Sequence, residues 1–292
     1  MGIEFRQSLL NEPLGLDSAL LLRRKVVLCS VKDNRLARIW GLVAAQAARR
    51  GGRVEAGDVC AAALAAVEVT GAWLSAASGL QAGHLMQVTD EVSEQLAELQ
   101  LTLGEGPSID VAAFGGPALA SDLAERESGR RWPAFAPAAC QAGAGAVFAF
   151  PLAIGAIQAG VLGLYRDKPG RLSDVQLGDA LLLADTATLL LLDAQAGQVD
   201  GVGEYDGHDG HDGHDGHDGL GGQQAELTRH RAEIDQATGM LTEQLDVGIT
   251  EAFTRLRAYA YANDLRLADV ARDIVARRLR LNPDPGLFRD GE

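Results

Sequence analysis

Residues 225–275 read AELTRHRAEIDQATGMLTEQLDVGITEAFTRLRAYAYANDLRLADVARDIV, and their rhythm decides the fold of the C-terminal part. Leu227, Ile234 and Leu241 recur every seven residues, and Leu245 continues the stripe. That repeat suits one strand of a two-stranded coiled coil or a long bundle helix. Gly248 is expected to end the helix as a C-cap glycine. Thr250 is expected to cap the next helix, with Glu251 placed to suit its dipole. Ala252, Phe253, Leu256 and Ala260 then share a face, Asn263-Asp264 breaks the pattern, and Leu267, Val270, Ala271, Ile274 and Val275 form the inner face of a third helix. Pro283 and Pro285 end the order. The expectation is an all-α three-helix unit over 223–281 with a tail at 282–292. A unit this small gains stability from dimerisation, and Leu227, Ile234 and Leu241 are the expected seam.

Upstream, residues 208–219 repeat one tripeptide four times, HDGHDGHDGHDG. His and Asp are metal ligands, but tight sites hold each ligand in place with a supporting shell. A Gly at every third position leaves this backbone free, and no apolar residue anchors it. The reading is a flexible linker at 198–222 and no metal site.

The chain changes character before that linker. Residues 33–50 carry Leu36, Ile39, Trp40 and Val43 at helical spacing, stopped by Gly51-Gly52; a second helix is expected near 58–69. Short strand-like stretches follow at 71–77, 84–88, 143–152 and 159–166, with a helical patch at 91–100 between them. Ser173 and Gln176 form a capping box for a closing helix. Helices, antiparallel strands and a closing helix give an α+β domain at 55–197, one sheet with helices on one face. Residues 1–54 form an N-terminal helical extension. The run AVFAFPLAIGAIQAGVLGLY (146–165) is long enough for a membrane span, but Pro151, Gly155, Gln158, Gly160 and Gly163 make it a buried hairpin. The run LLLADTATLLLL (181–192) carries Asp185 and is too short to span.

The formal net charge of −14 opposes loose binding to polyanions, so any nucleic-acid function needs a local Arg surface and specific contacts. Residues 223–281 hold nine Arg against nine Asp plus Glu, neutral where the remainder is acidic. Arg255, Arg257 and Arg266 bracket the turn between the second and third helices, and Arg277, Arg278 and Arg280 follow the third. Cys29, Cys60 and Cys140 are widely spaced, which fits buried thiols in a reducing cytoplasm and not a disulfide framework. No basic stretch followed by an apolar one opens the chain, so no secretory leader is expected. Before the linker stands a single His, His84, with no HExxH, GxSxG or paired-Cys motif; catalysis, haem and other cofactors are therefore not expected.

Two resemblances sharpen this reading. ELQLTLGEGPSIDVAAFGGPALASDLAERESGRRWPAF (98–135) and PLAIGAIQAGVLGLYRDKPG (151–170) resemble the GAF sensor domains of actinobacterial regulators. That resemblance covers roughly 55–195 and implies a small-molecule sensor or dimer platform, with a pocket between the sheet and the GEGP-side loops. Ser108 stands where related sequences often carry Cys, which removes a redox handle. Trp73, Trp132 and Phe135 are pocket candidates, read first as core packing.

The stretch from Ile234 to Val275 resembles the ANTAR domain, an RNA-binding three-helix module. The matching positions are Ala237, Gly239, Met240, Leu241, Ala252, Phe253, Leu256, Arg257, Ala260, Asn263, Leu267, Asp269, Val270, Ala271, Ile274 and Val275. Thr238 stands where the family usually has a basic residue. The resemblance implies binding to paired stem-loops in nascent mRNA and transcription antitermination, with a homodimer presenting two modules. Sequence-specific RNA readers meet splayed bases with polar and stacking groups. The expected RNA contacts are Gln236, Thr238, Arg255, Arg257, Asn263 and Arg266. The small residues Ala237, Gly239 and Ala258 would allow close approach, and Tyr259 or Tyr261 could stack. Two alternatives are a DNA-binding transcription factor, disfavoured by the acids in LADVARD, and a protein-docking signalling module.

Overall fold

A computed structural model describes residues 34–76, 85–155, 157–199, 220–263 and 265–282. His84 and the HDG tract lie outside the described residues, as do Pro283 and Pro285.

The N-terminal domain opens with helix α1 (34–50) and α2 (Ala56–Val67), followed by β1 (Gly71–Ala76) and β2 (Leu85–Val88). Helices α3 (Glu91–Leu103) and α4 (Pro107–Phe114) lead to β3 (Ala118–Ala120), and α5 (Arg126–Arg131) and α6 (Phe135–Gln141) to the hairpin β4 (Ala146–Ile154) and β5 (Ile157–Arg166). The 26-residue α7 (Asp174–Val199) closes the domain. The five strands form one antiparallel sheet in the order β2-β1-β5-β4-β3. The run 146–165 is thus a hairpin at the centre of the sheet, as its glycines and proline suggested.

Alternation of side chains along the strands divides the sheet into two apolar faces. On one, Leu74, Phe148, Phe150, Leu162 and Leu164 pack beneath α1, α2 and α7. On the other, Trp73, Val147 and Tyr165 pack against Leu96 of α3 and against Trp132, Phe135 and Ala139. The sheet is therefore covered by helices on both faces, not one. Each strand of the pair β1–β5 has apolar residues pointing both ways, and a sheet like that is stable only when neither face meets water. Trp73 lies flat across Gly163, where a Cβ would come within 2.0 Å of the indole.

Helix α7 contains a 21-residue stretch long and apolar enough to cross a membrane by length and composition, longer than LLLADTATLLLL suggested. Its inner stripe, Ala180, Leu183, Ala184, Ala187 and Leu191, is buried in the sheet core. The capping box forms as expected: the Ser173 amide donates to Gln176 Oε1 at 3.0 Å and the Gln176 amide to Ser173 Oγ at 3.3 Å. Asp179, 1% exposed, ties α7 to α1 through Arg38 at 2.5 Å and Arg35 at 3.6 Å.

The C-terminal module comprises α8 (Leu220–Leu245), α9 (Ile249–Ala262) and α10 (Leu267–Val275). Its core joins Ile234, Leu241 and Leu245 to Phe253, Leu256 and Ile274. This corrects the coiled-coil expectation. Ile234 and Leu241 are buried inside their own module, and Leu227 is buried against the N-terminal domain. Within the module, α9 and α10 cover Ile234, Leu241 and Leu245, so these three are not open to a second chain. The capping expectations also shift by two residues. The chain turns at Asp246, which takes the left-handed conformation (φ 53°), while Gly248 (φ −68°) is the N-cap of α9 and Thr250 lies within that helix. Asn263 ends α9 as expected.

Candidate nucleic-acid interface

The six expected RNA contacts fall in four places. Arg257 and Arg266 lie together at the edge of the module that meets the N-terminal domain. Arg266 pairs with Glu94 and Glu98 of α3, each at 2.9 Å. Arg257 donates from Nε to the carbonyl of Thr102 at 3.1 Å and lies 5.8 Å from the centre of the Phe253 ring. Burial lowers the Arg257 pKa. Burial acts the same way on Arg266, but Glu98 and Glu94 more than offset it and raise its pKa. Asn263 is exposed near that edge, its amide bonded to the Tyr259 carbonyl at 2.8 Å. Arg255 is half-buried and pairs along its own helix with Glu251 at 2.6 Å.

Gln236 is exposed elsewhere, in a groove shared with Gly239, Arg277 and Arg280. Sequence reading noted these two arginines only as the end of the third helix; α8 and the left-handed turn at Arg277 bring them beside Gln236. Thr238 departs from expectation. It is 5% exposed, and its hydroxyl donates to the Ile234 carbonyl at 2.7 Å, so it faces the interior and already has its partner. Ala237 is likewise in the core, whereas Gly239 and Ala258 are exposed. Of the two tyrosines, Tyr261 is exposed (62%) and Tyr259 packs at the edge of the core.

The contact edge on the N-terminal domain is built by the LGEGP turn. Gly104 ends α3 in the left-handed conformation (φ 69°), its amide bonded to the Gln100 carbonyl at 2.9 Å. Glu105 Oε1 accepts the amides of Ala134 and Phe135 at 2.6 and 2.7 Å, fixing the start of α6. Gln100 Oε1 accepts the Ser108 amide at 2.7 Å. Asp110 accepts from Arg131 Nε at 2.7 Å and from Trp132 Nε1 at 3.1 Å. These bonds explain why the sequence needs LQ, GEGP and RW at these spacings: they brace α3, α4 and α6 against one another.

Of the pocket candidates, Trp132 and Phe135 form an edge-to-face pair with ring centres 6.4 Å apart in the core. Trp73 differs. It lines a cavity of about 60 Å³ at the seam between the two domains, with Ser75, Gln100 and Ser108 on one side and Leu227, His230 and Ile234 on the other. The Ser108 hydroxyl is buried without a hydrogen-bond partner. His230, Glu94 and Glu98 had no assigned role in the sequence; the two acids stood only within the helical patch at 91–100. Among the described residues no cluster of His, Cys, Asp and Glu suits a metal ion.

Residues 224–275 match the family model of the ANTAR domain. No curated protein matches the chain. Among solved structures, the chain is similar to the GAF domain of a phosphoenolpyruvate-protein phosphotransferase from Coxiella burnetii, at 15% identity and TM-score 0.44 over 56% of this chain and 98% of that one. It is similar also to the corresponding Acinetobacter GAF domain, at 15% identity and TM-score 0.42 over 58% and 98%. A third similar structure is the GAF-B domain of DevS from Mycobacterium smegmatis, at 15% identity and TM-score 0.36 over 49% and 95%. The chain carries an ANTAR domain at residues 224–275, behind an α+β domain that is similar to GAF domains.

Proposed function

We propose that this protein is a signal-responsive antiterminator whose three-helix module binds paired stem-loops in nascent mRNA and so prevents a competing terminator hairpin from forming. The observation that supports it most is the match to the ANTAR domain, which falls on a three-helix core built from α8, α9 and α10. ANTAR domains are RNA-binding antitermination modules, and GAF domains are regulatory sensing modules. The N-terminal domain is accordingly read as the sensor of a small molecule, in a soluble cytoplasmic regulator without catalytic activity.

Two RNA loops call for two modules and hence a homodimer. The stripe on α8 is buried within the chain, so pairing falls to another surface. Val175, Leu181 and Leu189 of α7 are exposed apolar residues suited to that role. A DNA-reading alternative gains little from α10, whose Asp269 lies in its first turn and pairs with Arg272 at 3.0 Å.

The test is a titration of the full chain against an RNA of two short stem-loops and against a DNA duplex of the same sequence, at near-physiological salt. Preference for the RNA, lost when one loop is scrambled, is expected. Equal or stronger binding to the duplex would sink the RNA reading.

A further inference from the structure

Two of the arginines expected on the RNA face are engaged by the N-terminal domain in this structure: Arg257 is half-buried, and Arg266, though half exposed, has its guanidinium paired with carboxylates of α3. Arg266 is held by two carboxylates of α3, the arrangement a guanidinium would also find in a phosphate group. Arg257 reaches across the seam to the last turn of α3 and rests over Gly104. A Cβ at Gly104 would lie 1.6 Å from the nearer guanidinium nitrogen, so the bare backbone is what makes the seat. The apolar contacts are reciprocal. Leu227 of α8 is buried in the core of the N-terminal domain, while Leu101 of α3 packs against the core of the three-helix module. Between these anchors the seam is imperfectly filled, as the cavity beside Trp73 and the unpartnered Ser108 hydroxyl record.

We propose that this docked arrangement is an autoinhibited state, in which α3 and the LGEGP turn occupy the Arg257–Arg266 edge of the RNA face and opening the seam frees it. The inference rests on the RNA reading above and adds its regulation. An RNA approaching the docked module meets Glu94 and Glu98 where it needs Arg266, and like charge there repels phosphate. Release frees both guanidinium groups from these partners. The cavity has walls from both domains, so an occupant that widens it favours the open state by its difference in affinity for the two states.

The test uses the full chain and two seam variants, Leu101→Glu and Leu227→Glu, one on each side. Each places a carboxylate where an apolar side chain is packed, which drives the seam apart. Each also adds negative charge, so any gain in RNA affinity runs against long-range electrostatics. Docking is read without RNA, by energy transfer between dyes on Cys140, which is exposed, and on a Tyr261→Cys substitution, in a Cys29→Ser background. Tyr261 shares a groove with Ala138 and Gln141, so transfer is high when docked. RNA affinity is read on unlabelled protein with the two-stem-loop RNA.

The expected result is lower transfer in both variants and RNA binding tighter by about tenfold or more. Two recovered single-strand phosphate contacts should also steepen the log–log salt slope by about 1.4. Adding Arg257→Ala and Arg266→Ala should remove that gain. Lower transfer with RNA affinity unchanged, in a parent that binds RNA, would overturn the masking and leave the RNA reading standing. Lower transfer with no RNA binding by parent or variants would overturn the RNA reading and this inference together. Transfer that stays high in both variants would show that these anchors do not hold the seam, and would overturn the proposal directly.

Discussion

Glu98 shows how a single ion pair can mislead. Paired with Arg266 at 2.9 Å, it looks like the clasp of the seam. Burial nonetheless raises its pKa from the ordinary 4.5, and Arg266 pulls it back only in part; Glu94 pushes it further up and His230 down. A carboxyl whose docked pKa is raised takes up a proton more readily in the docked state. Its contribution to docking is therefore fully present below the ordinary value and lost as pH rises through the raised one. Glu98→Gln, which mimics the protonated form, should keep the seam closed at neutral pH and remove the Glu98 part of any pH dependence in energy transfer. Opening of the seam by Glu98→Gln at neutral pH would show that the ion pair outweighs the burial. Sequence spacing located Arg257 and Arg266 as special but could not show their partners, because Thr102, which meets Arg257, and Glu94 and Glu98, which meet Arg266, lie 155 to 172 residues upstream. Thr238 failed for a different reason: a threonine inside a helix can bond its own backbone four residues back, and that option is invisible until the helix's inner face is known.

At the scale of elements, α8 was legible as a helix with an apolar stripe, and illegible in what the stripe meets. A heptad repeat fits a partner chain and a pair of shorter helices equally well, since both need apolar residues every three to four positions. Here α9 and α10 cover Ile234 and Leu241. Leu241→Ala should cost about 2–5 kcal/mol, as for other buried leucines. Because the loss lies within one chain, the shift in melting temperature should not depend on protein concentration. A concentration-dependent shift would restore the coiled coil. The sheet was easier to read. Its central hairpin carries glycines where a neighbouring indole or strand needs the space, and those glycines had already ruled out a membrane span. What the alternation could not reveal was the second covered face, since residues such as Trp73 and Tyr165 are equally at home on a half-exposed strand.

For the whole molecule, the division into two folded parts was readable from composition alone, but the parts were expected to be loosely tethered. They instead share a seam built from α3 and the LGEGP turn on one side and Leu227, His230, Arg257 and Arg266 on the other. A seam fixed by side chains places little demand on the tether beyond reach. Replacing the four HDG units with Gly-Ser of equal length should leave both energy transfer and RNA affinity unchanged; a change in either, or in bound metal measured by atomic emission, would give the tract a role of its own. The glycine beneath Arg257 has a consequence for how such a regulator can be altered by heredity. Gly104 both ends α3 in a conformation that other residues resist and leaves room for the arginine, so one codon serves the folding of one domain and the restraint of the other. Mutations there damage both at once. A selection for constitutive alleles should therefore recover changes at Leu101, Leu227 and their neighbours, while Gly104 itself stays silent among the survivors.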